Sequence, residues 1–441
     1  MWINTIISKI QFLMGSIYDK SFILQNIDSI IGLNIFLLIF CSAFAQSDSI
    51  GYFALFTIVL TIIKILTKKS EQIELNLADK FLLIYLMTVV ISVAGSSLFY
   101  LSLKGFLKTL TYLGFYASFV SYLKDNKNKI KWIFLALCLC AAYETFFAFL
   151  QNLGAVEEIS GWQDMSHLNP EEVMTRVYGT LKPYNPNLFG GYMLAIIPAF
   201  LTLPFSFKDN LQLGKYTQPV LITTSLIFCL LSVIAMILTG CRGAYIGFFF
   251  MLMVFVCIIY KLLQPEFQKM FTAIVGFGIL ITSLIIVSTA SLRARIFSIF
   301  AMRGDSSNSF RFNVYQSCIQ MFKDNWLLGI GCGNQNFREI YGLYMKTGFD
   351  ALSAYNIYLE TAVESGIFAL LTFISFLGIN VYKAIKFILS NKTTDAVFVL
   401  AALLSVVGIL THGMVDTVFF RPQIQFTFWI MIGIIRVVGS K

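Results

Sequence analysis

Charged residues are scarce in this sequence. Only 12% of its 441 residues are Asp, Glu, Lys or Arg, whereas roughly a quarter is usual in soluble globular proteins. Hydrophobic residues make up 58%, 44 of them Phe, and the mean hydropathy is +0.78. So little polar material cannot cover a water-facing surface, which excludes a soluble protein. We therefore predict an integral membrane protein, with membrane lipid around it and no nucleic-acid partner.

Histidines are also scarce, and the cysteines do not follow a metal-binding or disulfide spacing. The only histidines are His167 and His412, and most of the eight cysteines stand inside apolar runs. No cysteine spacing resembles a zinc site or a disulfide framework. We therefore expect no metal site and no cofactor.

Long apolar runs are abundant instead. A helix needs roughly 20 apolar residues to cross the hydrocarbon core of a bilayer. The sequence therefore predicts an all-α integral membrane protein, one polytopic domain over 1–441, with about twelve transmembrane helices. The runs fall near 28–46, 50–68, 81–100, 105–123, 132–152, 189–206, 219–239, 244–262, 270–290, 363–384, 396–413 and 418–438.

Three segments outside these runs have distinct patterns. Residues 1–20 show no cleavable signal peptide, and their apolar side chains share one face, which predicts a helix lying in the membrane interface. Residues 153–188 and 291–362 are predicted as outer loops. The second is too long for a simple connector, and short helices are predicted within it, one of them around 309–323.

The cations separate by type. The short connections predicted to be cytoplasmic, with the adjoining helix ends, hold 19 of the 32 Lys and Arg, as the positive-inside rule requires. Both termini are then cytoplasmic, in the plasma (inner) membrane. The cytoplasmic set has 18 Lys and one Arg, whereas the outer set has five Lys and eight Arg: Arg176, Arg242, Arg293, Arg295, Arg303, Arg311, Arg338 and Arg421.

Arginine grips carboxylate or phosphate through a planar fork of donors, so the outer set favours an anionic ligand on that face. Arg338 is one candidate for binding it. The alternative is that these side chains pair with lipid headgroups or with outer acids, namely Asp305, Asp324, Glu339 and Asp350.

Several polar residues stand out near the outer ends of the predicted spans. Glu144 lies inside the fifth run, where an ionisable residue is rarely without a purpose; a helix-to-helix hydrogen bond is the structural alternative. In TGCRGAY, small residues flank Arg242, which can contact a ligand or simply end a tight turn. The other candidates are Arg176, Lys182 and Asn187 in RVYGTLKPYNPNLFGGY, Tyr355, Asn356 and Glu364 before and within the tenth span, and His412 with Asp416 in THGMVDT.

Three motifs in this order resemble the O-antigen ligase and polymerase superfamily. They are TGCRGAY, SFRFNVYQSCIQMFKDNWLLGIGCGNQNF and SAYNIYLETAVESGIFALL, and the resemblance runs from the fifth span to the C-terminus. RVYGTLKPYNPNLFGGYML and ALSAYNIYLE resemble most closely the cyanobacterial branch named for inorganic-carbon (bicarbonate) transport.

The resemblance implies an all-helical membrane fold with a long periplasmic loop. It also implies transfer of a glycan from a polyprenyl diphosphate to an acceptor, without metal. By motif, Arg242 and Arg311 would hold the diphosphate. Ligases carry a His where this chain has Tyr355, and a tyrosine, with a pKa of about 10, is a poor base near neutral pH.

Three functions are consistent with these observations. The first is transfer or polymerisation of a lipid-linked glycan, with Arg242 and Arg311 on the diphosphate, Arg176 assisting, and Glu144 or Glu364 handling the acceptor proton. The second is transport of bicarbonate or another small anion, which predicts repeats and interrupted helices. The third is a non-catalytic relative that binds a polyprenyl lipid. The glycan and the oligomeric state are left open by the sequence.

Overall fold

A computed structural model describes residues 2–68, 73–154, 175–210 and 214–439. In these ranges the chain is helical, without strands. The α-helices are α1 (Trp2–Lys20), α2 (Phe22–Gln25), α3 (Ile27–Ser42), α4 (Ser47–Thr67), α5 (Leu77–Ala94), α6 (Phe99–Asp125), α7 (Ile130–Asn152), α8 (Pro186–Ile196), α9 (Leu203–Ser206), α10 (Thr217–Leu238), α11 (Arg242–Leu262), α12 (Pro265–Ser288), α13 (Ala290–Phe300), α14 (Ser306–Asp324), α15 (Asn334–Tyr341), α16 (Ile357–Ser390), α17 (Thr394–His412) and α18 (Pro422–Val438).

The all-α membrane architecture is confirmed. Every predicted apolar run coincides with a helix, and in the described ranges nine helical segments are long and apolar enough to cross a membrane. Helices α3 and α18 are apolar but shorter. Helix α6 is 27 residues long but carries Lys104, Lys108 and Lys124, and it is not among the nine. The count of twelve spans therefore stays a prediction.

The helices differ greatly in burial. Nearly every residue of α8 and α18 is buried, so these two helices, with α17, form the centre of the bundle. Helix α12 has no buried residue, and its apolar side chains can be covered only by lipid or by another protein. A bilayer stabilises such a surface, whereas water does not.

Helix α16 is interrupted at Gly366, whose φ of 78° lies in the left-handed region. The glycine-rich loop before α15, which contains Gly329, Gly331 and Gly333, fills the break. The N–H groups of Ile330 and Gly331 donate to the carbonyls of Val363 and Glu364, at 3.0 and 2.9 Å. An unpaired backbone group would be costly here. These glycines therefore complete a broken helix, and a bulkier residue at 331 would collide with neighbouring serines.

One end of the bundle is held by lysine ion pairs. The fully buried Lys64 Nζ lies 2.8 Å from Asp28 and 3.1 Å from Asp125, which joins α3, α4 and α6. Arg436, near the end of α18, pairs with Asp79 of α5 at 2.9 Å.

Helix α1 lies across this same end. Its Gln11 donates to the carbonyl of Ile65 at 2.8 Å, and Asn4 exchanges two hydrogen bonds with the backbone of Ile73. Residues 2–20 are helical, and apolar side chains of this helix, such as Phe12 and Leu13, are exposed. Their position in a membrane interface stays a prediction.

Candidate functional site

The site begins where α11 begins. Arg242 is the first residue of that helix and is only 7% exposed. Its Nη1 lies 2.8 Å from Asp305 Oδ2 and donates to Ser298 Oγ at 3.0 Å. Gly240, just before it, has a φ of 61°, which turns the chain sharply between α10 and α11. The guanidinium is therefore held at the end of the bundle opposite the lysine ion pairs, since α18 begins at this end and finishes at the other.

Asp305 has two functions at this point. Its Oδ2 pairs with Arg242, while its Oδ1 accepts the N–H of Asn308 at 2.8 Å and so caps α14. An N-cap carboxylate stabilises the first turn of a helix. Helix α14 is therefore fixed to the start of α11, and it carries the next arginine of the site, Arg311.

Arg311 ends a chain of polar contacts that crosses four segments. Arg176 Nη2 donates to Asn187 Oδ1 at 2.5 Å, and Asn187 Nδ2 donates to Asp416 Oδ2 at 2.9 Å. The same carboxylate oxygen lies 3.4 Å from Arg311 Nη2. Asn187 uses both ends of its amide, so its orientation is fixed by its partners. We call Arg176, Asn187, Asp416 and Arg311 the relay.

A fourth arginine supports the site from α13. Arg295 Nε donates to the carbonyl of Gly240 at 2.6 Å, and the side chain is buried. Arg242 lies within electrostatic reach of both Arg295 and Arg311. We call Arg176, Arg242, Arg295 and Arg311 the arginine cluster. Within the described ranges two carboxylates contact the cluster: Asp305 pairs with Arg242, and Asp416 lies against Arg311.

Arg311 also has an unused donor. Its Nε is buried and finds no hydrogen-bond partner in the described part of the chain. A buried polar group without a partner is costly and usually has an explanation, such as a ligand that completes it. The four neighbouring guanidinium groups and this buried N–H both fit an anion.

Tyr355 lies next to Arg311. The guanidinium carbon is 5.9 Å from the centre of the tyrosine ring, within cation–π range. Tyr355 has a φ of 52°, a disfavoured conformation for a bulky residue, and the hydroxyl of Tyr315 donates to its carbonyl at 3.2 Å. Burial raises the pKa of the Tyr355 phenol above its ordinary value of about 10. The phenol therefore stays protonated near neutral pH and can donate a hydrogen bond.

Asn356 fixes the segment that carries Tyr355. Its Oδ1 caps α16 by accepting the N–H groups of Tyr358 and Leu359, and its Nδ2 donates to the carbonyl of Met414 at 2.9 Å. Both polar ends of the amide are thus in use. The geometry gives Asn356 a positioning role beside the site.

His412 lies behind the arginine cluster. Its Nε2 is 3.5 Å from Cys241 Sγ, and its ring is only 1% exposed. Gly191 and Gly243 face the ring so closely that a Cβ on either would press against it. The imidazole joins α8, α11 and α17.

Glu144 of α7 contacts the loop that leads to the relay, and Lys182 lies on that loop. Glu144 accepts hydrogen bonds from the N–H of Thr180 at 2.9 Å and from its hydroxyl at 2.6 Å. Gln151, two turns along α7, accepts the N–H of Gly179 at 3.0 Å and donates to the carbonyl of Gly179 at 2.9 Å. These contacts fix residues 175–180, which include Arg176. Lys182 is half-buried nearby, and its carbonyl accepts from Gln423.

Two predicted site residues lie elsewhere. Glu364 accepts the N–H of Gly333 at 2.8 Å, so its carboxylate joins the broken part of α16 to the glycine-rich loop. Arg338 pairs with Asp350 at 2.6 Å on the surface, where both side chains are about half exposed. Their predicted roles stay untested, but the structure does not bring them to the cluster. His167 and the rest of 155–174 lie outside the described residues.

Sequence reasoning missed two members of the site. From sequence, Asp305 was only one of four outer acids that could pair with an arginine. Arg295 was only one of eight outer arginines. The pairing alternative is realised for Arg242 with Asp305 and for Arg338 with Asp350. Ser-Asn-rich sequence after Asp305 is a helix-start signal, and it could have identified this residue as a cap.

A comparison with protein families adds to this geometry. Residues 227–374 match the O-antigen ligase family. The matched region covers about a third of the chain, from α10 into α16, and includes Arg242, Arg295, Asp305, Arg311 and Tyr355. The resemblance to that superfamily is thus supported here, whereas nothing supports the inorganic-carbon branch. A search of curated proteins found no match to the chain.

The remaining relay residues lie outside the matched region. Arg176 and Asn187 precede it, and Asp416 follows it. The fold nevertheless brings them within hydrogen-bond distance of one another and brings Asp416 to Arg311. The O-antigen ligase-like region therefore shares its site with both flanking parts of the chain.

Proposed function

We propose that this protein transfers or polymerises a glycan carried on a polyprenyl diphosphate. The arginine cluster supports this most directly. A sugar linked to a lipid through a diphosphate carries two negative charges, which the neighbouring guanidinium groups attract. The buried Nε of Arg311 supplies a donor that an oxygen of the diphosphate would complete.

In this proposal Arg242 and Arg311 bind the diphosphate directly, and Arg176 and Arg295 strengthen the positive field. The acceptor hydroxyl forms a bond to C1 of the sugar as the bond from C1 to the diphosphate breaks. Negative charge develops on the leaving oxygen, where fixed cations lower the barrier most. The released terminal phosphate has a second pKa of about 6, so it can take the proton of the acceptor.

Tyr355 donates a hydrogen bond in this scheme and does not act as a base. Glu144 and Glu364 hold loops in place, because every contact of their carboxylates in the described ranges is to backbone or hydroxyl donors on those loops. Lys182, Asn356 and His412 hold surrounding segments, and Arg338 remains a peripheral candidate. No metal takes part.

We place the arginine cluster on the outer face of the plasma (inner) membrane, with the 291–362 loop in the periplasm and both termini in the cytoplasm. The lysine ion pairs at the opposite end support this orientation, since Lys and Arg favour cytoplasmic connections.

Tyr355 favours a second candidate, a relative that binds the polyprenyl lipid without transferring its glycan. A protonated phenol cannot remove the acceptor proton, so transfer here depends on the diphosphate doing so. Anion transport finds less support. Helix α16 is interrupted, as transporters often require, but the glycine-rich loop takes up the carbonyls freed at the break.

The test is a profile of lipid-linked and surface glycans in a strain depleted of this protein. The depleted strain expresses wild type, Arg242→Ala or the control variant Lys323→Ala, whose side chain is exposed on α14. Transfer predicts that undecorated lipid-linked glycan accumulates in the depleted strain. Wild type and Lys323→Ala should remove this accumulation, whereas Arg242→Ala should not. Unchanged glycans in the depleted strain would reject transfer, and bicarbonate uptake in proteoliposomes would then be measured.

A further inference from the structure

A second pair of cations lies at the edge of the site. Arg303 Nη1 and Lys346 Nζ both approach Asn313 Oδ1, at 3.4 and 3.2 Å, and Lys346 also reaches Gln316 Oε1 at 2.6 Å. The Arg303 guanidinium lies 5.7 Å from the centre of the Phe312 ring. In the described ranges these partners are all neutral, and neither cation forms an ion pair. Two like charges that share one amide oxygen repel each other unless an anion joins them.

The backbone before Arg303 is held in a disfavoured conformation. Met302 has a φ of 48°, in the left-handed region that residues other than glycine rarely adopt. Such a conformation is costly and persists only where the surrounding structure enforces it. Here the strained residue turns the chain between α13 and α14 and presents Arg303 to Phe312 and Asn313.

Aromatic side chains connect this pair to the arginine cluster. The rings of Phe312 and Tyr315 meet edge to face, with centres 6.4 Å apart, and both are half-buried. The Tyr315 hydroxyl contacts the carbonyl of Tyr355, whose ring lies beside Arg311. Aromatic faces pack well against the C–H faces of sugars. A sugar attached to a diphosphate on the cluster can therefore lie along this surface toward Arg303.

We propose that Arg303 and Lys346 form a subsite for an acidic sugar, one that bears a carboxylate or a phosphate. The proposal rests on the proposed function, because the cluster must hold the diphosphate that orients the glycan. The subsite adds charge complementarity at the far end of the aromatic surface. Its cations replace their weak contacts with Asn313 by hydrogen bonds to the anion, which are stronger. The substrate class is then an anionic, lipid-linked saccharide.

The experiment measures binding of two synthetic probes to the full-length protein in neutral-lipid nanodiscs. The probes are farnesyl diphosphate linked to glucose and farnesyl diphosphate linked to glucuronic acid, which differ only at the C6 carboxylate. We expect the acidic probe to bind about tenfold more tightly to wild type. Raising the salt concentration reduces this preference, since the subsite is exposed.

The variant Arg303→Gln/Lys346→Gln separates the two proposals. It is expected to bind both probes with the affinity that wild type shows for the neutral one, while Lys323→Gln keeps the full preference. Equal binding of both probes to wild type, each lost in Arg311→Met, would overturn the subsite and leave the proposed function intact. If neither probe binds, or if Arg311→Met binds both probes as tightly as wild type does, the proposed function itself is rejected.

The lipid composition of the nanodiscs distinguishes an acidic sugar from an anionic lipid headgroup as the ligand of the subsite. In nanodiscs that contain phosphatidylglycerol, a lipid-binding role predicts that the acidic-probe preference disappears through competition, which would overturn the proposal. A preference that persists there supports it. Melting temperatures of wild type and the double variant should agree, because both substituted side chains are exposed.

Discussion

The two ends of the helix bundle use positive charge in different ways. At one end Lys64 is fully buried between Asp28 and Asp125, and Lys68 contacts the same two carboxylates. At the other end four arginines lie close together, and a buried N–H of Arg311 has no partner among the described residues. The lysine network joins helices and stabilises the fold, whereas the arginine cluster keeps a donor that an anion can use.

The largest expected effect concerns which side of the membrane each end faces. Cysteine introduced at Leu343, which is 84% exposed near the arginine end, should react with a membrane-impermeant maleimide added to intact cells. Cysteine at Asn128, on the connection between α6 and α7 at the lysine end, should react only after lysis. Reaction of both from outside, or of Asn128→Cys alone, would refute the orientation and with it the outer site.

Replacing one cation at each end tests the comparison directly. Arg311→Met should reduce transfer at least about 100-fold, as the loss of a fixed charge at a leaving group does, with little loss of stability because Asp416 keeps Asn187. Lys64→Met should instead lower the free energy of unfolding by about 2 kcal/mol, because it removes the buried cation that joins the two carboxylates and leaves them only the longer contacts with Lys68. Glycan transfer and thermal unfolding in detergent are measured for both. The comparison fails if the two variants lose the same property.

A change within the relay should have a smaller effect that can be reversed. Asn187→Asp places a carboxylate against Asp416 and removes the amide donor, so we expect transfer to fall about 30-fold. Asn187→Asp combined with Asp416→Asn restores one donor and one acceptor across this contact. Initial rates of the three proteins are compared. Recovery to within a few-fold of wild type supports a positioning relay, while a double variant no better than Asn187→Asp would contradict it.

The smallest expected effect is that of the Tyr355 hydroxyl. Burial raises the pKa of this phenol, so it remains a protonated donor from pH 6 to pH 9 rather than becoming a base. Tyr355→Phe should lower the rate several-fold at every pH in that range, by the loss of one hydrogen bond. The rate is measured against pH for both proteins. A wild-type basic limb that vanishes in Tyr355→Phe would show that the phenol titrates during turnover.

Part of the candidate site could be predicted from local sequence. Arg242 follows a glycine turn and Arg311 lies in a predicted helix, and the motifs around both resemble the O-antigen ligase superfamily, which implied their role without tertiary structure. Asn187 and Asp416 are 229 residues apart, and only the folded chain brings them into contact at 2.9 Å. Only the folded chain shows that backbone and hydroxyl donors satisfy the carboxylates of Glu144 and Glu364, whose predicted roles stay predictions.

The sequence by itself determined the membrane character, the helical class and the separation of lysine from arginine along the chain. These follow from composition and from runs of about 20 residues, which are local properties. Only the tertiary structure decided which arginines share a site and which carboxylates neutralise them. It also decided that the glycine-rich loop closes a broken helix. These outcomes depend on contacts between distant segments, and the physics of hydrogen bonding and charge acts on distances in space rather than along the chain.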